Sequence, residues 1–195
     1  MKKTCDVAFK EWSVVVQALL EARQTVLLRK GGIRENEGRF TIESEEFFLY
    51  PTKVHQDPES LIHADQSQLI MAAVEQIGDD HVNLKAFARV EHYQRVRDIE
   101  RIHALWGHHG WTQNLIDQRF HGGNEDWLDV FVLRVFRLRK TMVLKNDPQF
   151  AGCKSWIHLP EALSTDGAEV VIPEEIFQKK LQAIHAALAA TGSRV

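Results

Sequence analysis

Residues 82–90 constrain the fold more than any other stretch. Val82, Leu84, Ala86, Ala88 and Val90 alternate with Asn83, Lys85, Phe87 and Arg89, the period-two pattern of a strand with one buried face. Leu128 to Leu138 is apolar on both faces instead, which predicts a central strand covered on two sides. Between these runs, Asp98 is a helix cap followed by Ile99, Ile102, Leu105 and Trp106 at helical spacing, and Thr112 starts a second helix carrying Leu115, Ile116 and Phe120.

The flanks add shorter pieces. Trp12 to Leu20 and Gln24 to Lys30 read as a strand pair closed by a short turn, and Arg39 to Ile42 and Glu45 to Tyr50 as extended segments ended by Pro51. A helix is expected from Pro58 to Ile77, stopped by Gly78-Asp79-Asp80. The tail predicts strands at Trp156-Ile157 and Val170–Ile172. A terminal helix over 173–190 follows, with Phe177, Leu181, Ile184 and Leu188 as its buried stripe. Strands and helices mix without βαβ alternation, so the expected fold class is α+β: a mixed, largely antiparallel sheet or small barrel with helices. The 195 residues fit a single unit, 1–195, in which parts 1–57 and 82–160 share a pocket across a seam at 58–78.

Composition narrows the function classes. A net charge of −3 and a pI near 6.4 exclude a global basic field, so any nucleic-acid role has to use a local patch. Cys5 and Cys153 form neither a disulfide framework nor a zinc pattern. No apolar run approaches the roughly 18 residues of a membrane helix, and polar residues follow Met1-Lys2-Lys3, so a soluble cytoplasmic protein is expected. Cofactors and oligomeric state are left open.

Three constellations carry candidate chemistry. Gly31-Gly32, beside Arg29, Lys30 and Arg34, could turn backbone amides toward a phosphate or carboxylate, although a hairpin turn with solvated basic flanks accounts for the same residues. His103, His108, His109 and His121 are close in sequence, yet no H-E-x-x-H or paired cysteine accompanies them, so no metal site is expected. His55 or His109 fits an acid–base role better. Arg134 lies on an apolar strand face and needs either a structural carboxylate, such as Asp129 or Glu91, or a ligand anion. Of the five tryptophans, one or two could form a stacking surface, with core packing the alternative.

Several separated blocks occur in order: Phe9-Lys10-Glu11-Trp12, Leu28 to Ile33, Phe48 to Thr52 with His55-Gln56, His109-Gly110-Trp111-Thr112, Arg119-Phe120, Val132 to Val135, and Gly152 to Ile157. Together they resemble the bacterial family catalogued as domain of unknown function 1802, over about residues 7–160. That resemblance implies no activity, but an association with Mrr-type restriction modules and hence proximity to DNA. The second half is also similar to small PUA- and EVE-type barrels, which implies a pocket reading a base through Trp111, His109, Tyr50 and Arg134. The expected site therefore comprises Arg29, Lys30, Gly31, Gly32, Tyr50, Thr52, His55, Gln56, His109, Trp111, Arg119 and Arg134. The leading expectation is an accessory module binding nucleic acid or nucleotide, possessing arginines for phosphate and aromatics for bases. Two alternatives stand beside it. One is a metal-assisted phosphodiester hydrolase with His55 or His109 as base and Glu43, Glu45 or Glu46 near a metal; the other is a non-catalytic scaffold.

Overall fold

The computed structural model describes residues 1–30, 35, 36, 39, 40, 42–66, 68–78, 80–152 and 154–190. In chain order its elements are β1 (Thr4–Trp12), α1 (Ser13–Leu20), β2 (Val26–Arg29), β3 (Glu35–Asn36), β4 (Arg39–Phe40), β5 (Glu46–Thr52), α2 (His63–Gln66), α3 (Leu69–Gln76), β6 (His81–Val96), α4 (Ile99–His103), α5 (Gln113–Phe120), β7 (Leu128–Lys145), β8 (Trp156–Ser164), β9 (Glu169–Val170) and α6 (Glu174–Ala189). The fold is α+β, as expected, around a seven-stranded sheet ordered β2-β7-β6-β5-β1-β8, with β9 also on β7. Only β1 with β5 is a parallel pair among the ladders of this sheet; the others are antiparallel.

β6 and β7 form a long ribbon from His81↔Lys145 to Val96↔Leu128, interrupted by register shifts at Leu84/Ala86 and Val90/His92. Bulges of this kind increase local twist and bend the strand that carries them. Here the 90–96/128–133 end of the ribbon, with β2 beside it, curls back over β1. Phe131 comes within 6.4 Å of Phe9, and Phe9 packs edge-on to Trp156 at 4.7 Å and against Phe47 at 5.5 Å. This aromatic layer closes the interior, and Leu128 to Phe136 is buried on both faces, as its composition predicts.

The first helix corrects the expected strand pair at 12–20 and 24–30. Residues 13–20 are helical, β2 pairs with β7, and the missing strand is β1, upstream. Val14, Val15 and Val16 favour a strand locally, but seven of the eight α1 residues are buried, and a short apolar run enclosed on all sides has no period to distinguish helix from strand. The helix expected over 58–77 is broken into a 3₁₀ turn at Pro58–Ser60, α2 and α3. Capping was legible: Asp98 accepts from the Glu100 amide at 3.1 Å and Thr112 from that of Leu115 at 3.4 Å. In the terminal helix Phe177, Ile184 and Leu188 are buried. No helix among the described residues is long and apolar enough to cross a membrane.

Candidate functional site

The curled ribbon brings the ends of β1 and β2 to the start of β8. Glu11, second to last in β1, is buried at 2% exposure, and its two carboxylate oxygens are committed: one accepts the Trp12 amide at 2.8 Å, the other pairs with Arg29 at 3.1 Å. Arg29 also donates to Ser155 Oγ at 2.9 Å and lies over the Phe9 ring at 4.9 Å. One guanidinium thus ties β2 to β1 and to the residue before β8.

Above this tie sits Arg119, from the last turn of α5. Its guanidinium carbon lies 4.5 Å from the Trp111 ring centre and 5.9 Å from that of Trp12, two indoles packed edge-on at 5.0 Å. Burial draws the Arg119 guanidinium down to about 10; Glu11 opposes the shift and Arg29 adds to it. Among the described residues, no carboxylate lies within ion-pair distance of Arg119 and no acceptor takes its N–H groups. A partly exposed guanidinium whose donors no described residue claims is a favourable receptor for an anion. Trp111 is buried at 1% exposure, whereas Trp12 is partly exposed. Trp12 is therefore the indole with a surface to offer.

Of the residues expected in the site, Arg29, Arg119 and Trp111 come together. Thr52 and Gln56 stand behind them: Thr52 is the register partner of Trp12, and Gln56 Nε2 donates to Thr52 O and to Ser13 Oγ, both at 2.8 Å, which holds the start of α1. His55 occupies the left-handed region (φ 60°) on an exposed turn. Gly31 and Gly32 lie outside the described residues.

Four expected members are elsewhere. Lys30 donates to the carbonyls of Phe120 (2.7 Å) and Glu125 (2.5 Å) and lies 4.7 Å over Trp127, so it straps the loop between α5 and β7. Tyr50 shares the sheet face of Lys10, opposite to Glu11, and reaches Asn146 at 3.5 Å and the Phe150 ring at 5.8 Å. Arg134 pairs with neither Asp129 nor Glu91; it meets Glu174 of α6 at 2.7 Å and lies 4.4 Å over Phe177. Asp129 is taken by Tyr93 (2.8 Å) and Arg95 (2.9 and 3.2 Å).

His109 is a core residue. It is 4% exposed, its Nδ1 accepts the Trp111 amide at 3.2 Å, and burial, reinforced by His108 and His103, draws it down to about 4. At neutral pH it is uncharged with the proton on Nε2, and its basic nitrogen is already engaged. The glutamates proposed for a metal are also remote from His55: Glu46 opens β5 and His55 follows its end, a span of roughly 20 Å along an extended strand. Glu46 accepts the Lys2 amide at 2.6 Å and Glu43 meets His158 at 2.7 Å. Among the described residues no three His, Cys, Asp or Glu side chains gather to hold a metal ion.

Glu11, Trp12 and Ser155 are the members that sequence reasoning missed. All three lie inside the ordered blocks quoted above, where the pattern marks a motif without saying which of its side chains turn inward.

The family model described as domain of unknown function, DUF1802, matches residues 8–183. No curated protein matches the chain. Among solved structures it is similar to the crystal structure of ASCH from Zymomonas mobilis, at 12% identity over 91% of this chain and 93% of that one, TM-score 0.46. A tyrosine-to-phenylalanine variant of that protein gives 12% identity, 90% and 96% coverage and a TM-score of 0.45. A serine-to-alanine variant gives 13%, 93% and 98%, and 0.41. At these scores the likeness carries nothing about activity.

Proposed function

We propose, starting from the premise that this chain belongs to the DUF1802 family, that it is a nucleic-acid-binding module whose contact point is the Arg119–Trp12–Trp111 cluster. The observation that carries this reading is Arg119 itself, a partly exposed cation with no protein anion among the described residues, set on two indoles at the junction of three strand ends. A phosphate bound by Arg119 would place the adjoining base against the partly exposed Trp12 ring. Electrostatic capture of the backbone together with aromatic stacking is how single strands are held without sequence readout. Such a site suits a chain with net charge −3, because it needs one local cation and no global field.

Fluorescence anisotropy with labelled single-stranded RNA and DNA at 50 and 200 mM salt tests the reading. The expected result is binding that weakens with salt, and an Arg119→Ala variant that folds normally but loses at least tenfold in affinity. Its log–log salt slope should be shallower by about 0.7. Trp12→Phe should retain most of the affinity and Trp12→Ala should not. Equal binding by wild type and Arg119→Ala would overturn the proposal.

A further inference from the structure

The geometry points to a second ligand site, separate from the tryptophan cluster: a groove beside the β7 bulge that takes a nucleoside phosphate. The groove is a cavity of about 360 Å³ lined by Leu138, Arg139, Lys140, Met142, Ser164 and Asp166, at the small end of the roughly 300–1,000 Å³ range of small-molecule sites. It follows from the register shift in the β6–β7 ribbon. Leu84 pairs with Met142 and Ala86 with Arg137, so residues 138–141 stand opposite Lys85 alone and β7 bends away from the ladder. On the outer edge of β7, the ladder with β9 reaches only Arg137. The turn after β8 makes the facing wall, and it is anchored: Thr165 is buried, its amide donates to the Lys3 carbonyl at 3.0 Å, and its hydroxyl donates to the Lys2 carbonyl.

Three kinds of group line the groove. Leu138 is buried and Met142 half-buried, an apolar floor whose thioether suits an aromatic ring. Arg139 and Lys140 are exposed, and among the described residues neither side chain meets a carboxylate. The Arg139 stem is nevertheless held. Gly167 sits in the left-handed region (φ +71°), and a Cβ there would lie 3.0 Å from Arg139 Cδ, so the turn backbone packs against the side chain that carries the guanidinium. Ser164 Oγ accepts the Asp166 amide at 3.1 Å, which leaves its own proton free to donate. The Asp166 carboxylate only accepts, and no described side chain donates to it. A carboxylate beside two cations opposes a bare anion but favours a ligand that brings hydroxyl or amino donors with its negative charge. A nucleoside phosphate brings all three parts: phosphate for Arg139 and Lys140, a ring for the floor, and donors for Asp166.

Calorimetric titration of the intact protein with adenosine diphosphate, pyrophosphate and adenosine tests the assignment. The diphosphate should bind more tightly than either fragment. Arg139→Ala and Lys140→Ala, both surface changes, should each weaken it by about tenfold, the scale of one hydrogen bond to a charged group. Arg119→Ala should leave it unchanged, because Trp12 ends β1 whereas Ser164 pairs with Thr4 at its start, up to about 25 Å away. Asp166→Ala separates a nucleoside site from simple attraction of an anion: it should tighten pyrophosphate by removing a negative charge, and weaken adenosine diphosphate by removing an acceptor. The proposal is overturned if adenosine diphosphate does not bind, binds no better than pyrophosphate, is indifferent to Arg139→Ala, or binds more tightly in Asp166→Ala. If Arg119→Ala instead removes the binding, the nucleotide belongs to the tryptophan cluster and the groove is likewise overturned.

Discussion

Burial of His109 links the stability of the molecule to pH. The imidazole titrates at an ordinary 6.5 when unfolded and at about 4 when folded. A depressed histidine stabilises fully above its unfolded pKa and loses that contribution as pH falls from about 6.5 toward 4. At about 1.4 kcal/mol per pH unit, the loss is on the order of 3 kcal/mol. His92 and His108 are shifted down as well, principally by burial, and add to the slope in the same direction. Urea midpoints measured from pH 7.5 to 4.5 should fall steeply below pH 6.5, and less steeply in His109→Asn; an unchanged slope in that variant would refute the assignment. The neighbouring Gly110 has no left-handed torsion to explain it. Its reason is close approach, because a Cβ there would collide with the Asp65 carboxylate, which is buried and held by Arg23. Gly110→Ala should therefore cost about 2–3 kcal/mol, read as a lower urea midpoint, and Arg23→Ala should partly mask that effect because it frees Asp65 to move.

At the scale of elements, α6 and α1 show what a pattern reveals and what it hides. The stripe Phe177, Ile184, Leu188 and the Pro-Glu-Glu start make α6 readable, because an amphipathic surface helix has one face to advertise. α1 is apolar nearly all round, and its valines give no phase. What α6 covers was not readable: Arg134 lies beneath it, and His92 touches His185 at a ring distance of 4.6 Å. Glu174 is two-thirds exposed at its side chain, so its pair with Arg134 stays in contact with water and contributes about 1 kcal/mol or less. Hydrogen exchange of α6 amides in Glu174→Ala should accordingly quicken by no more than several-fold. Arg134→Met, which replaces a buried cation with an apolar side chain of similar length, should leave α6 protection unchanged or raise it. Loss of α6 protection in Arg134→Met would show that the guanidinium, and not the apolar stripe, docks the helix.

For the whole molecule the governing feature is the seam at which β2 meets β1 and the start of β8. The described residues show no backbone ladder between β2 and β8; Arg29 spans the gap with Glu11 and Ser155. Arg29→Ala leaves the buried Glu11 carboxylate without its cation and should cost on the order of 3–5 kcal/mol. The double variant Glu11→Met with Arg29→Met should recover most of this loss in a urea titration while leaving nucleic-acid affinity altered; failure to recover would mean that the pair does more than close the seam. The α+β class, the long β7 strand, the helix caps and the terminal helix were legible in the chain, because each rests on local periodicity or on residues within four positions of one another. The chemistry of the candidate site was not. Arg29, Arg119 and Arg134 look alike as residues, and Glu11 looks like any other glutamate in the chain. Only the bend of the β6–β7 ribbon pairs Arg29 with Glu11, sends Arg134 under α6 and leaves Arg119 over Trp12, because those outcomes depend on contacts between residues 18 to 107 positions apart.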